Sequence, residues 1–453
     1  MTLNEIPVRQ VETRHRRIQS PELPTPEMLR LLEDAHRFEP RAMQGQPPVV
    51  WERAEGFYVY DAHGNKWLDF SSGVLVTNAG HGRKEIADAI LEQTKRGLLH
   101  SYVFPNEPRI RLARKLAELA PEPLKKAFLL STGSEATECA VKLMRTHGRN
   151  LRPDKSIIVS FTHAFHGRTL GAQLIGGIPA LKEWIGDYDM GMVQVPFPDG
   201  FRCEDQTFDC FERNLESQGI KPEQVAGVIT ETYQGGGASF GPPAYFRDLR
   251  AWCDRHGVLL TFDEVQAGFG RCGTMWGFEH YGVVPDLMCL GKGISSSLPV
   301  AAVVGRPDLM DLYPPGSMTS THSGSPVCAA AALANIELIE KEKLVENSAR
   351  CGEILHRELW RQLKPFDARI GAIHGKGLVA GVHCIKDDST QPDRDLAFKV
   401  VWNCVGRGLM LFAPVGLNGS TVKICPPLCI TEDAVVEGVS VIAEAFADAL
   451  NEA

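Results

Sequence analysis

The sequence predicts an α/β protein. A large unit carries an open, mostly parallel sheet flanked by helices, and a smaller α/β unit is drawn from the N- and C-terminal segments. Three observations predict it. Short apolar runs alternate with helix-period stretches from about residue 127 to 304. Turns bearing reactive side chains follow those runs at their C-terminal ends, as at Asp263 and Lys292. After an Ala-rich stretch at 327–341, a second set of strand- and helix-like segments begins at 378. The expected division is 1–80 as the N-terminal part of the smaller unit, 81–326 as the large unit, and 327–453 as a linking helix followed by the rest of the smaller unit.

Bulk properties narrow the class. The 453 residues supply enough core for two or three domains, and 43% hydrophobic with 23% charged residues is ordinary globular composition. A net charge of −8 argues against a nucleic-acid-binding surface as the main function. The twelve cysteines form no C-x-x-C pair and no zinc-like spacing, so no metal is expected and reduced thiols in a cytoplasmic protein are the simplest reading. No run of about 18 apolar residues exists, so no transmembrane helix is expected. The N-terminus lacks the apolar core of a secretory signal. Arg14, Arg16 and Arg17 hint at a transit peptide, against which Glu5 and Glu12 weigh.

In chain order, 1–46 is Pro-rich and charged and is expected to wrap the surface. Residues 47–69 alternate apolar and polar around the turn Asp61-Ala62-His63-Gly64-Asn65, which reads as a small antiparallel meander. It ends in the turn Ser71-Ser72-Gly73-Val74. Helical periodicity covers 84–96 and 107–119. A strand at 127–130 runs through Ser131-Thr132-Gly133-Ser134 into a helix at 135–145. Strand, Gly/Ser turn and helix start make an anion site, where free amides and the helix dipole meet a phosphate. The same turn also reads as a plain helix cap. A strand at 156–161 leads to Phe165-His166-Gly167-Arg168. On their own, Phe165 reads equally as a core aromatic and Arg168 as a surface ion-pair partner. A strand at 225–230 delivers Glu231, a helix at 244–256 follows, and a strand at 258–262 delivers Asp263. The run 287–290 delivers Gly291-Lys292-Gly293, and 300–304 is a further strand. Strands at 378–382 and 421–424, and helices at 395–406 and from Thr431 onward, complete the smaller unit.

A strand-end acid followed by a strand-end lysine suits pyridoxal 5′-phosphate. The lysine would form a Schiff base and the acid would pair with the pyridinium nitrogen. A doubly wound nucleotide-binding enzyme is less well served, since neither G-x-G-x-x-G after the first strand nor a P-loop is present. A non-catalytic binding protein would leave Lys292 unmodified.

The motif order, with Asp263-Glu264-Val265-Gln266, Gly268-Phe269-Gly270-Arg271 and Gly291-Lys292-Gly293, resembles the class III aminotransferases. These are fold type I pyridoxal-phosphate enzymes of the ω-amino-acid and acetylornithine group. The resemblance runs from about Val49 to the last helix. It implies Lys292 and Asp263 as catalytic residues. It implies Phe165 stacked on the cofactor ring, Val265 on the opposite face and Gln266 on the ring oxygen. Thr132, Gly133 and Ser134 would hold the phosphate, with His166 and Glu231 also at the cofactor. It further implies a homodimer with Thr321 reaching the neighbour's phosphate. Substrate residues would be Val74 at the mouth, Arg168 for a carboxylate and Lys423. The implied substrates are an amine or amino acid and a keto acid, with no nucleic acid and no membrane.

Two positions depart from the 4-aminobutyrate and ornithine enzymes of the resemblance. Gly236 stands where they usually carry a gating glutamate, and Lys423 where they usually carry its arginine partner. Lysine keeps the charge but not the planar two-point clamp on a carboxylate. The expected reaction is therefore transamination, and racemisation, epimerisation, decarboxylation or a lyase outcome at the same site is the alternative.

Overall fold

Two adjacent strands, Val225–Glu231 and Leu259–Asp263, are buried at every residue. Continuous apolar runs of this kind belong to a sheet covered on both faces. In the computed structural model, which describes residues 6–186, 190–387 and 389–451, they sit at the centre of a seven-stranded sheet. Its order is Lys126–Leu130, Ala301–Gly305, Leu287–Leu290, Leu259–Asp263, Val225–Glu231, Ile157–Phe161 and Met192–Val195. Ala301–Gly305 pairs antiparallel with both its neighbours. The other six strands run the same way, so their C-terminal ends share one edge. The register sets Glu231 beside Asp263, and Asp263 beside Cys289.

The chain divides into two units. The second comprises 84–235 and 239–345 and contains this sheet. Helix Gly133–Leu151 lays its apolar side on the sheet, burying Ala136, Ala140, Leu143 and Met144. It starts two residues earlier and runs six residues further than periodicity suggested. The Ala-rich helix Pro326–Lys341 belongs to this unit.

The first unit comprises 1–83, 236–238 and 346–453. Its composite make-up has a backbone cause: Leu409–Met410 pairs parallel with Lys66–Asp69, joining the chain's two ends in one sheet. The meander strands are Arg53–Glu55, Tyr58–Tyr60 and Lys66–Asp69. A second sheet orders Ile370–Lys376, Val379–Cys384 and Thr421–Ile424.

The N-terminal segment departs from the expected surface wrap. Val11–Glu12 and Arg17–Ile18 pair and extend the sheet, Pro26–Phe38 is a helix, and Ile6, Ile18, Leu23 and Met28 are buried. Thr25 caps that helix by accepting the Met28 amide, and Pro26 opens it, a start signal readable in the sequence. Arg14 pairs with Asp433 (2.9 Å), Arg16 with Glu437 (2.6 Å), and Arg17 donates to the Gly64 carbonyl (3.0 Å). Of the three, Arg16 is buried, Arg17 is half-buried and Arg14 stays exposed. Glu5, weighed above, lies outside the described residues. Helix Leu344–Leu363 and the strand Ile370–Lys376 went unread, as did the edge strand Met192–Val195, which is too short to carry clear periodicity. Among the described residues, no helix is long and apolar enough to cross a membrane, and no cluster of three or more His, Cys, Asp or Glu could hold a metal.

Candidate active site

The shared strand edge of the second unit carries a cavity of about 290 Å³. Thr132, Gly133, Ser134, Phe165, His166, Gly167, Arg168, Glu231, Asp263, Val265, Gln266 and Lys292 line it. Each follows or ends a strand, because the C-terminal ends of five of the six parallel strands supply the lining.

The helix start supplies the donors. The Thr132 hydroxyl accepts the Glu135 amide (3.2 Å), and the Glu135 carboxylate accepts the amides of Ser131 (2.8 Å) and Thr132 (3.0 Å). The turn is thus a capping box, and Thr132 is spent on the cap. Gly133 and Ser134 occupy the first two helical positions, whose amides have no intrahelical partner. Cap and anion site are therefore the same turn with its donors divided. A Cβ on Gly133 would stand 3.1 Å from Val265 Cγ1, and one on Gly291 3.2 Å from the same atom. Glycine at both positions lets Val265 sit between the phosphate-type turn and the lysine turn.

At the centre, His166 Nδ1 is 2.8 Å from Asp263 Oδ2. A carboxylate acceptor there requires the proton on Nδ1. Asp263 Oδ1 also accepts the Val265 amide (3.0 Å). Burial opposes charge on His166, but its hydrogen bond to Asp263 and the charges of Asp263 and Glu231 outweigh it, and its pKa is raised. Its Nε2 is buried without a hydrogen-bond partner. Glu231 accepts the Phe165 amide (3.0 Å) and the Gly235 amide (2.9 Å), so it fixes the loop bearing the aromatic ring. Burial pushes its carboxyl up to about 7, with Asp263 adding to the rise and His166 opposing it. Arg168 lines the cavity but is exposed, its guanidinium 5.6 Å from the Phe165 ring centroid, and no acid pairs with it among the described residues.

Lys292 follows strand Leu287–Leu290 at φ +44, left-handed backbone that a non-glycine residue adopts at a cost on the order of 1 kcal/mol. The buried Asn335 amide stabilises that turn by donating to the carbonyls of Gly293 (2.9 Å) and Ile294 (3.0 Å). Burial lowers the Lys292 pKa, against the opposing pull of Asp263 and Glu231. Sequence reasoning missed Asn335, although a lone amide in an Ala-rich helix was a visible oddity. It also passed over Glu264, whose buried carboxylate accepts the Thr232 hydroxyl and the amides of Gly277 (2.7 Å) and Phe278 (3.1 Å).

Glu264 is likewise pushed up to about 7 by burial. This predicts a pH dependence. Both carboxyls start near 4.5 when exposed, so between pH 4.5 and 7 the folded state holds more protons than the unfolded one. Their contribution is full below about 4.5 and is lost as pH rises toward 7, on the order of 3 kcal/mol for each group. Urea titrations of the cofactor-free protein across this range should show that decline, and Glu231→Gln with Glu264→Gln should flatten it. An unchanged slope in the double variant would refute the assignment.

Three expected residues lie elsewhere. Thr321 is exposed and lies outside the cavity lining. Val74 and Lys423 belong to the first unit. Val74 sits in the turn Ser72–Leu75, whose four residues all have positive φ (49, 55, 64 and 63), and its side chain is 46% exposed. Lys423 is buried in strand Thr421–Ile424 opposite Gly381. A Cβ on Gly236 would meet Gly416 Cα at 3.0 Å, so backbone crowds the position of the usual gating glutamate.

The family model described as Aminotransferase class-III matches residues 41–446. The chain is 34% identical over 415 residues to the 5-aminovalerate aminotransferase DavT of Pseudomonas aeruginosa, covering 90% of this chain and 95% of that one. It is also 34% identical over 435 residues to a leucine/methionine racemase of Thermococcus litoralis, covering 92% and 95%. A solved transaminase from the marine bacterium Virgibacillus superposes with a TM-score of 0.85 at 30% identity, over 93% of this chain and 99% of that one.

Proposed function

The chain belongs to the class III aminotransferase family and is an aminotransferase of fold type I, and we propose that it works through pyridoxal 5′-phosphate held at Lys292. One observation carries the proposal: a buried-stem lysine, a histidine-backed aspartate and two amides without helical partners line one cavity. The residues fit the group. Gly133 and Ser134 offer donors for a phosphate, Phe165 and Val265 offer walls for a ring, and Asp263 offers the partner for a protonated ring nitrogen. Gln266, lining the same cavity, would meet the ring oxygen.

When bound, the cofactor supplies an electron sink for the bond broken beside the substrate nitrogen. The protein's own residues do the rest. Lys292, its pKa lowered by burial, has more neutral amine at ordinary pH, and is the group to take a proton from the substrate carbon and give it back. His166 keeps Asp263 negative by donating to it. Glu231, its carboxyl pushed up to about 7 by burial, holds the Phe165 loop by accepting the Phe165 and Gly235 amides. Arg168, with no acid partner among the described residues, is the group for a substrate carboxylate.

The substrate class we infer is an ω-amino acid as donor and a keto acid as acceptor. The 5-aminovalerate relative and Arg168 at the cavity support it. Crowding at Gly236 and lysine at 423 favour a second reading, amino-acid racemisation, which the racemase relative also supports. A homodimer completes the proposal. Leu98, Leu99, Tyr102, Val103 and Phe104 form a run of exposed apolar side chains, with Phe104 72% exposed. The Tyr102 hydroxyl is 3.0 Å from Thr319 Oγ1, tying that run to the loop bearing Thr321. A second copy would cover the run and receive Thr321. The absence of a disulfide at any of the twelve cysteines fits a reducing, cytoplasmic setting.

The deciding experiment presents 5-aminovalerate, 4-aminobutyrate and single-enantiomer amino acids, without a keto acid, to the pyridoxal-phosphate-loaded protein. Transamination converts the bound cofactor from its aldehyde to its amine form, one equivalent per site. Loss of optical activity from an amino acid while the cofactor stays in the aldehyde form would replace this reading with racemisation.

A further inference from the structure

A second cavity, of about 450 Å³, lies wholly within the first unit and shares no residue with the one above. Two arginines, Arg41 and Arg394, line it together with Gln44 and the ring of Phe398, and no acidic side chain does. Neither guanidinium has an ion pair or hydrogen-bond partner among the described residues. The acid nearest to Arg394 in sequence on its N-terminal side, Asp393, is otherwise engaged. It caps the helix Arg394–Val405 by accepting the Leu396 amide (3.0 Å) and pairs with Arg369 (2.6 Å). The Arg394 stem lies along the loop at Gly419, where a Cβ would be 3.8 Å from its Cγ. That loop is anchored nearby, with the Ala413 amide donating to Gln46 Oε1 (2.9 Å). Phe398 is held flat against Trp402, ring centroids 3.8 Å apart at 21°.

We propose that this cavity binds a small organic anion, its carboxylate or phosphate shared by Arg41 and Arg394 and its body against Phe398. Two guanidinium groups line one concavity that no acidic side chain lines, so an anion there meets cationic donors from two elements without displacing a partner. Arginine's planar fork matches both carboxylate and phosphate. The volume falls within the range of small-molecule sites, about 300–1,000 Å³. The stacked aromatic wall adds apolar contact area that inorganic ions do not use, which favours a ligand with a short carbon body.

Arginine footprinting tests it. The pyridoxal-phosphate-loaded full chain is treated with phenylglyoxal, and the modification rate of each arginine is read by peptide mass, with Arg168 reporting on the other cavity. Saturating glutarate or inorganic phosphate should slow modification of Arg41 and Arg394 together, on the order of tenfold. Protection by glutarate alone assigns the site to carboxylates, and protection by phosphate alone to phosphate esters. In Arg394→Ala, whose exposed side chain the fold does not use, protection of Arg41 should disappear. Unchanged rates at both arginines with both anions, or undiminished protection of Arg41 in Arg394→Ala, overturns the proposal.

Discussion

Lys292→Ala abolishes amino transfer and the covalent hold on the cofactor: that is the largest effect expected from any single change. Lys292 follows the strand Leu287–Leu290, is held in left-handed backbone and lines the cavity with Asp263 and Glu231. No other lysine lines that cavity. A positioned acid–base group alone is worth about 10²–10⁴ in rate. Losing the covalent attachment as well puts the expected drop at or beyond the upper end of that range. Two readouts separate chemistry from folding. Borohydride reduction of the loaded native protein should leave the cofactor's mass on the peptide bearing Lys292, and the variant should show none. Its melting temperature should stay close to native, because the side chain packs no core. Turnover surviving in Lys292→Ala would end the central assignment.

Asp263→Asn is expected to be nearly as damaging while preserving shape. Asparagine keeps an oxygen for the Val265 amide, now 3.0 Å from Asp263 Oδ1, and turns its NH2 group toward His166 Nδ1, which must then accept rather than donate. What it loses is the buried negative charge that favours a protonated ring nitrogen and raises the His166 pKa. The rate should fall on the order of 10²–10⁴-fold, chiefly in kcat. His166, relieved of its partner's charge and still fully buried, should titrate lower than in the native protein, which NMR of its ring protons reads directly. A kcat within a few-fold of native, or an unmoved His166 titration, would show that Asp263 is structural only.

The large unit was legible because its central strands are unbroken apolar runs ending in reactive residues, as 259–263 ends in Asp263 and 287–290 leads to Lys292. A two-sided buried strand needs such a run, so pattern and burial coincide. The N-terminal segment was not legible in the same way. Its two-residue strands carry no periodicity, and its helix has only Met28 buried. Its fold depends on the strand Lys66–Asp69, which pairs with Arg17, and on the acids Asp433 and Glu437 near the other end of the chain.

At the site, the sequence alone determined the kinds of group present and their order: a Gly/Ser turn, an aromatic-histidine pair, a strand-end acid and a glycine-flanked lysine. Side-chain chemistry and strand patterning are local, and a single chain displays both. Only the tertiary structure decided which groups face one another. It put His166 on Asp263, gave Glu231 and Glu264 their burial, set Asn335 under the lysine turn and left Thr321 outside its own chain's cavity. Those are through-space relations between strands 30 to 100 residues apart, and pKa, hydrogen bonding and steric room are set by distance in space, which sequence spacing does not encode.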